Sequence, residues 1–188
     1  MIRNSLHGSS YLDKNKANPK KRRSPSVRIK ESIAMNEVAY FSKSDVFESS
    51  SDEILLVFSG AVLISNNDLL RVHNITVGKY KKSWQHRVSA ILKDVIVNQP
   101  YFSEPVQVEF AHFVSHGRYM DFDGIVGAFK YVLDALVKVG VVHDDSVNYV
   151  PLVVPIQFKG EPKLIVKISK SKGFEYSKSF MERCNEEN

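Results

Sequence analysis

Residues 123–139, DGIVGAFKYVLDALVKV, repeat apolar side chains at the spacing of a helix. Ile125, Ala128, Phe129, Val132, Leu133 and Leu136 fall on one stripe, and Asp123, Gly127, Lys130, Asp134 and Lys138 follow the same period on the opposite side. A helix with one apolar stripe must bury it against another element, so this segment demands a layer to pack on. Gly140 follows as a natural helix stop. Upstream, VQVEFAHFV (106–114) alternates, with Val106, Val108 and Phe110 against Gln107 and Glu109, which predicts a half-buried strand. Downstream, KLIVKIS (163–169) alternates in the same way.

The rest of the chain fits around that unit. ILLVFSGAVLI (54–64) reads as a buried strand, or as a hairpin turning at Ser59-Gly60, and SNNDLL follows as a loop. Residues 79–97 place Trp84, Val88, Ile91, Leu92 and Val95 at helical spacing, with Trp84 expected in the core. Pro100 and Pro105 close that helix. VVPIQF carries Pro155, which argues for an edge strand, and a hairpin around Lys159-Gly160 would pair it with KLIVKIS. The expected fold is a single α/β or α+β domain, a small mixed sheet packed with two helices. It spans residues 53–170. Residues 1–52 read as a basic, disordered arm and linker, since NKANPKKRRSPSVRIK offers little to bury, and residues 171–188 read as a polar tail.

Composition narrows the partners. A hydrophobic content of 43% supports a real core, and a formal charge of +5 with a pI near 9.2 favours an anionic partner such as nucleic acid. The lone cysteine, Cys184, forms no internal disulfide, which suits a reducing, cytoplasmic setting. No apolar run approaches the roughly 18 residues that span a bilayer, so no membrane partner is expected. Nothing resembles a P-loop, a dinucleotide glycine fingerprint or a nucleophile elbow.

The acids then stand out. Asp121 and Asp123 open the 123–139 helix, and Asp144 and Asp145 follow it. Hard oxygen ligands around one helix suit Mg2+, which takes one or two carboxylates and completes its shell with water and phosphate. Plainer readings compete. Asp123 serves as an N-cap, Lys130 and Asp134 as a surface pair four residues apart, and Asp144-Asp145 as a turn. His112, His116 and His143 flank the acids as further polar candidates. Lys79, Lys81, Lys82 and Arg87, with His86, Tyr80 and Trp84 interleaved, form a candidate DNA-facing patch, and Arg118 adds a cation beside the acids.

In this order the elements resemble the core of RusA-type Holliday-junction resolvases. That family shows an acid-x-acid-Asn start, a helix with Lys four residues before Asp-x-Leu, a Gly-hydrophobic segment and an Asp-Asp pair. Here Asp121-x-Asp123, Lys130 with Asp134-Ala135-Leu136, and Gly140-Val-Val-His-Asp144-Asp145 match in turn. SNNDLLRVHNITVGKYKKSWQHRV and VPIQFKGEPKLIVKIS are similar to the flanking parts, so the likeness spans roughly residues 54–170. It implies a RusA-like fold and a homodimeric, Mg2+-dependent endonuclease, with Mn2+ as an alternative ion, acting on four-way DNA junctions in a prokaryotic or phage setting. It assigns the metal to Asp121, Asp123 and Asp145 with Asp144 in support, and catalysis or phosphate contact to Lys130. Three positions depart from the pattern: Gly124 stands where the family has Asn, Met120 where a basic residue is common, and seven residues separate Asp123 from Lys130. Two further readings follow, a branched-DNA-binding protein of the same fold that does not cleave, and a basic scaffold whose acids are caps and turns.

Overall fold

The computed structural model describes residues 23–42, 45–92 and 101–171. Its elements are α1 (Pro25–Ser42), β1 (Val46–Ser49), β2 (Glu53–Ser59), α2 (Asn66–Leu69), α3 (Asn74–Leu92), β3 (Val106–Val114), α4 (Phe122–Val139), β4 (Leu152–Lys159) and β5 (Lys163–Lys170). The strands form one mixed sheet in the order β1-β2-β5-β3-β4, with β3 and β4 parallel and every other pair antiparallel.

Strict alternation fixes which face of the sheet is covered. Ile54, Leu56 and Phe58 of β2, Val106, Val108 and Phe110 of β3, and Leu164, Val166 and Ile168 of β5 are buried together. Phe110 stacks on Phe129 of α4 at 4.0 Å, and Phe58 meets Trp84 of α3 edge-on at 5.6 Å. The intervening strand residues point to the other face, which no element among the described residues covers, and one side of an antiparallel sheet commonly meets solvent. The helical stripe foreseen in 123–139 is buried as expected, and Gly140 closes α4 in the left-handed conformation at φ 89°.

The arm of residues 1–52 is corrected from residue 25 onward. α1 is a helix of 18 residues, Ile29 is part of the core, and Ser32 donates to the Val62 carbonyl at 2.9 Å. Its apolar residues occur on several sides of the helix, with Met35, Val38 and Phe41 exposed, so no single stripe shows. Residues 46–49, expected as linker, pair with β2. The described residues therefore hold four helices where two were expected, counting the single turn α2, which replaces the expected SNNDLL loop. α3 begins five residues before the expected start, and residues 93–97 of that expected helix lie outside the described residues. So do residues 1–22 and 172–188.

Of the 54–64 segment only residues 54–59 are strand, as part of β2; Gly60 turns, and residues 61–64 run on without forming a returning strand. The expected β4–β5 hairpin is also corrected. β4 returns from α4 parallel to β3, and β5 lies on the other side of β3, between it and β2. The short connection crosses the end of β3, with the Gly160 N–H donating to the Val114 carbonyl at 3.1 Å and the Gly60 N–H to the Pro162 carbonyl at 2.8 Å. β4 is left with a single neighbour, which is where a strand holding Pro155 belongs. No helix among the described residues is long and apolar enough to cross a membrane.

Candidate functional site

The candidate acids are arranged around α4. Asp121 is its N-cap, in extended conformation, with Oδ1 accepting from the Gly124 N–H at 3.2 Å. A β-carbon at Gly124 would run into that same carboxylate oxygen, so glycine here fits the cap. Asp123 lies in the first turn and is exposed, favoured there by the helix dipole. The approach is held by Gln157 of β4, which accepts from the Met120 N–H at 3.0 Å and donates to the Met120 carbonyl at 2.7 Å.

Asp145 comes back to the same helix from the far side of α4 in the chain. Its Oδ2 lies 2.6 Å from Lys130 Nζ, which also holds Asp134 at 3.0 Å. Asp134 is held from α3 as well, by Lys81 at 2.8 Å. The result is a chain of alternating charge, Lys81–Asp134–Lys130–Asp145, across α3, α4 and the 141–151 loop. The Asp145 contact raises the Lys130 ammonium above the usual lysine value. Burial alone would push the Asp134 carboxyl up, but the two lysines hold it below its ordinary value. Asp144 supports the turn: it accepts from the Asp145 N–H at 2.9 Å, and Ser146 and that N–H hold its carboxyl low.

The donors suit a hard cation, but the positions do not form a shared site. Among the described residues no group of three or more His, Cys, Asp or Glu side chains is placed to hold a metal ion. The expected convergence of Asp121, Asp123 and Asp145 is absent for a physical reason. Asp145 is drawn to Lys130, and the seven residues from Asp123 to Lys130 are about two helical turns, on the order of 10 Å of rise. Asp121 meanwhile serves the helix end.

The DNA-facing patch on α3 is corrected in part. Arg87 is fully buried. It grips Asp45 through Nε at 2.7 Å and Nη2 at 2.6 Å, and donates to Asn36 Oδ1 at 2.9 Å and the Ser59 carbonyl at 2.6 Å. Its guanidinium also packs beside the Phe58 and Trp84 rings. Lys81 is engaged by Asp134, while Lys79, Lys82 and Arg118 are exposed. Trp84 is core, as its spacing predicted. His112 is buried, with Nε2 accepting from the Leu63 N–H at 3.2 Å, and burial pushes its pKa down to about 4. It is a neutral core residue. His116 and His143 are exposed, and His143 lies against Tyr149.

Charge is distributed unevenly. Eleven of the 26 Lys and Arg and six of the 21 Asp and Glu fall outside the described residues, which leaves 15 of each sign within them. The described body is neutral. Residues 1–22 hold six Lys or Arg against one acid, so they carry the basic character of the chain. No known family model and no curated protein matches the sequence.

Proposed function

We propose that this chain is a structure-selective DNA endonuclease of the RusA type, which resolves Holliday junctions by paired symmetric nicks and works as a homodimer. One observation supports the reading most. Asp145, twenty-two residues from Asp123 in sequence, folds back onto the same helix that Asp121 and Asp123 open, and Lys130 holds it there. The resemblance selected these four residues from their order alone. A two-fold protein matches a junction that presents two related strands.

The residues have distinct parts in this reading. Asp121 and Asp123 present carboxylates at the start of α4, beside the N–H groups of its first turn. Lys130 fixes Asp145 and offers an ammonium toward the same face. Mg2+, or Mn2+ in its place, would supply charge neutralisation at the scissile phosphate when bound. The three carboxylates as arranged do not converge on such an ion.

That disagreement favours a second reading, a branched-DNA-binding protein of the same fold that does not cleave. Asp145 already has its cation in Lys130, and Gly124 replaces the family's Asn with a residue that suits a purely structural cap. A labelled four-way junction incubated with Mg2+ separates the two. Symmetric nicks from the wild type, lost in Asp121→Asn, support the nuclease. Tight binding with no nick from either protein supports the second reading.

A further inference from the structure

Among the described residues nothing packs on the second face of the sheet, and one end of that face concentrates aromatic rings and cations. On that face Phe158, Phe113 and Lys163 form a cross-strand row, followed by Ile156, Ala111 and Ile165. Phe158 stacks on Phe113 at 4.9 Å, and Lys163 Nζ sits 4.4 Å from the Phe113 ring centre. At the same end, Lys159 Nζ lies 4.6 Å from the Tyr119 ring and donates to the Gly117 carbonyl. Phe158 is 40% exposed and Tyr119 52% exposed. Arg118, directly before Tyr119 in the chain, is exposed as well.

The cations here differ from those of α3 and α4. Lys81 and Lys130 are answered by Asp134 and Asp145. Among the described residues Arg118, Lys159 and Lys163 have no carboxylate partner, and Glu161 is the one acid in their turn. Arg118, Lys159 and Lys163 against Glu161 leave the rim around Phe158 and Tyr119 with an excess of cations, and the carboxylates of Asp121 and Asp123 lie beyond it. This is also the end at which the parallel strands β3 and β4 finish, a usual position for ligands in sheets of this kind. Tyr119 stands two residues before Asp121, and Gln157 fastens that connection to β4.

We propose that this end of the sheet is a binding platform for an unpaired DNA strand, with Phe158 and Tyr119 offering ring faces to bases and Lys159, Lys163 and Arg118 meeting phosphates. Exposed rings on a sheet can stack only on bases that have left a duplex, and backbone charge favours cations beside them. The platform deepens the reading above, and rests on it for the choice of DNA, because it would hold an opened strand next to Asp121 and Asp123.

Fluorescence anisotropy with a labelled oligo(dT) of about 12 nucleotides tests it. Wild type should bind this strand more tightly than a duplex of equal length. Phe158→Ala and Tyr119→Ala should each weaken binding about 5- to 100-fold. Phe158→Leu, which keeps the apolar bulk, should also weaken it, and melting temperatures should match the wild type. Lys163→Ala should lower the salt slope by about 0.7. Wild-type affinity in all these variants overturns the proposal, as does a wild type that prefers duplex. So does a Phe158→Ala protein that changes from dimer to monomer in sedimentation while keeping its oligo(dT) affinity, since a second copy then covers the face. A wild type that binds oligo(dT) in this way but leaves a four-way junction uncut in Mg2+ refutes the nuclease and spares the platform.

Discussion

Replacing Arg87 with alanine should cost stability rather than DNA affinity. The guanidinium is fully buried and makes four hydrogen bonds, two to Asp45 and one each to Asn36 and the Ser59 carbonyl. Truncation leaves the Asp45 carboxylate, 4% exposed, without its cation. Breaking a buried pair in this way costs about 3–5 kcal/mol, and the space left beside Phe58 and Trp84 adds to it. At about 2–4 °C per kcal/mol for a chain of this size, the melting temperature should fall by roughly 6–20 °C. Asp45→Ala alone should cost a comparable amount, and the double variant much less than the sum, because neither leaves a charge unpaired when both are gone. Thermal denaturation followed by circular dichroism reads all four proteins. A melting temperature unchanged in Arg87→Ala, with junction affinity reduced, would refute the reasoning and return Arg87 to the DNA-binding surface.

Other perturbations follow from the same geometry. His112 has a folded pKa of about 4 against about 6.5 when unfolded, so the unfolded chain takes up a proton first as pH falls. Stability should therefore drop by up to about 3 kcal/mol between about pH 6.5 and 4, and His112→Gln should flatten that part of the melting-temperature profile. Gly124→Asn, which installs the asparagine of the RusA-type pattern, should cost about 0.5–2 kcal/mol by displacing the Asp121 cap, measured by urea denaturation. Lys130→Met should leave the neutral-pH stability within about 1 kcal/mol of wild type, read by urea denaturation, since the lysine side chain is 61% exposed. Its raised pKa places the pair's small stabilisation at neutral pH and its loss above the usual lysine range, so the two proteins should converge in strong alkali.

The parts of the fold governed by local periodicity were legible in the sequence. β3 and the body of α4 lie where alternation and the helical stripe put them, down to the Gly140 stop. The placement of β5 was not legible, because alternation says which face a strand buries but not which neighbour it takes. α1 was hidden because its apolar residues fall on several sides, so that Ile29 and Ala39 reach the core while Met35, Val38 and Phe41 stay exposed and the basic run before it suggested an arm. Arg87 was misread because of its charge. Its position three residues after Trp84 places it on the buried stripe, and Asp45, far away in sequence, supplies the compensation that charge alone did not reveal. At the site, the order of residues set Asp145 beside Asp121 and Asp123 as a metal ligand, whereas among the described residues it pairs with Lys130. The Lys130 contact that holds it, and the cap that occupies Asp121, depend on side-chain reach rather than spacing.

The central claim is that Asp145 acts with the acids at the start of α4 on a branched DNA substrate. Cleavage of an end-labelled four-way junction in Mg2+ by wild type and Asp145→Asn tests it most directly. The account predicts paired, symmetric nicks from the wild type and a loss of at least about 100-fold in the variant, on the scale of removing one group that acts in the transition state, with melting temperature and junction affinity preserved. Equal cleavage by the two proteins would contradict it.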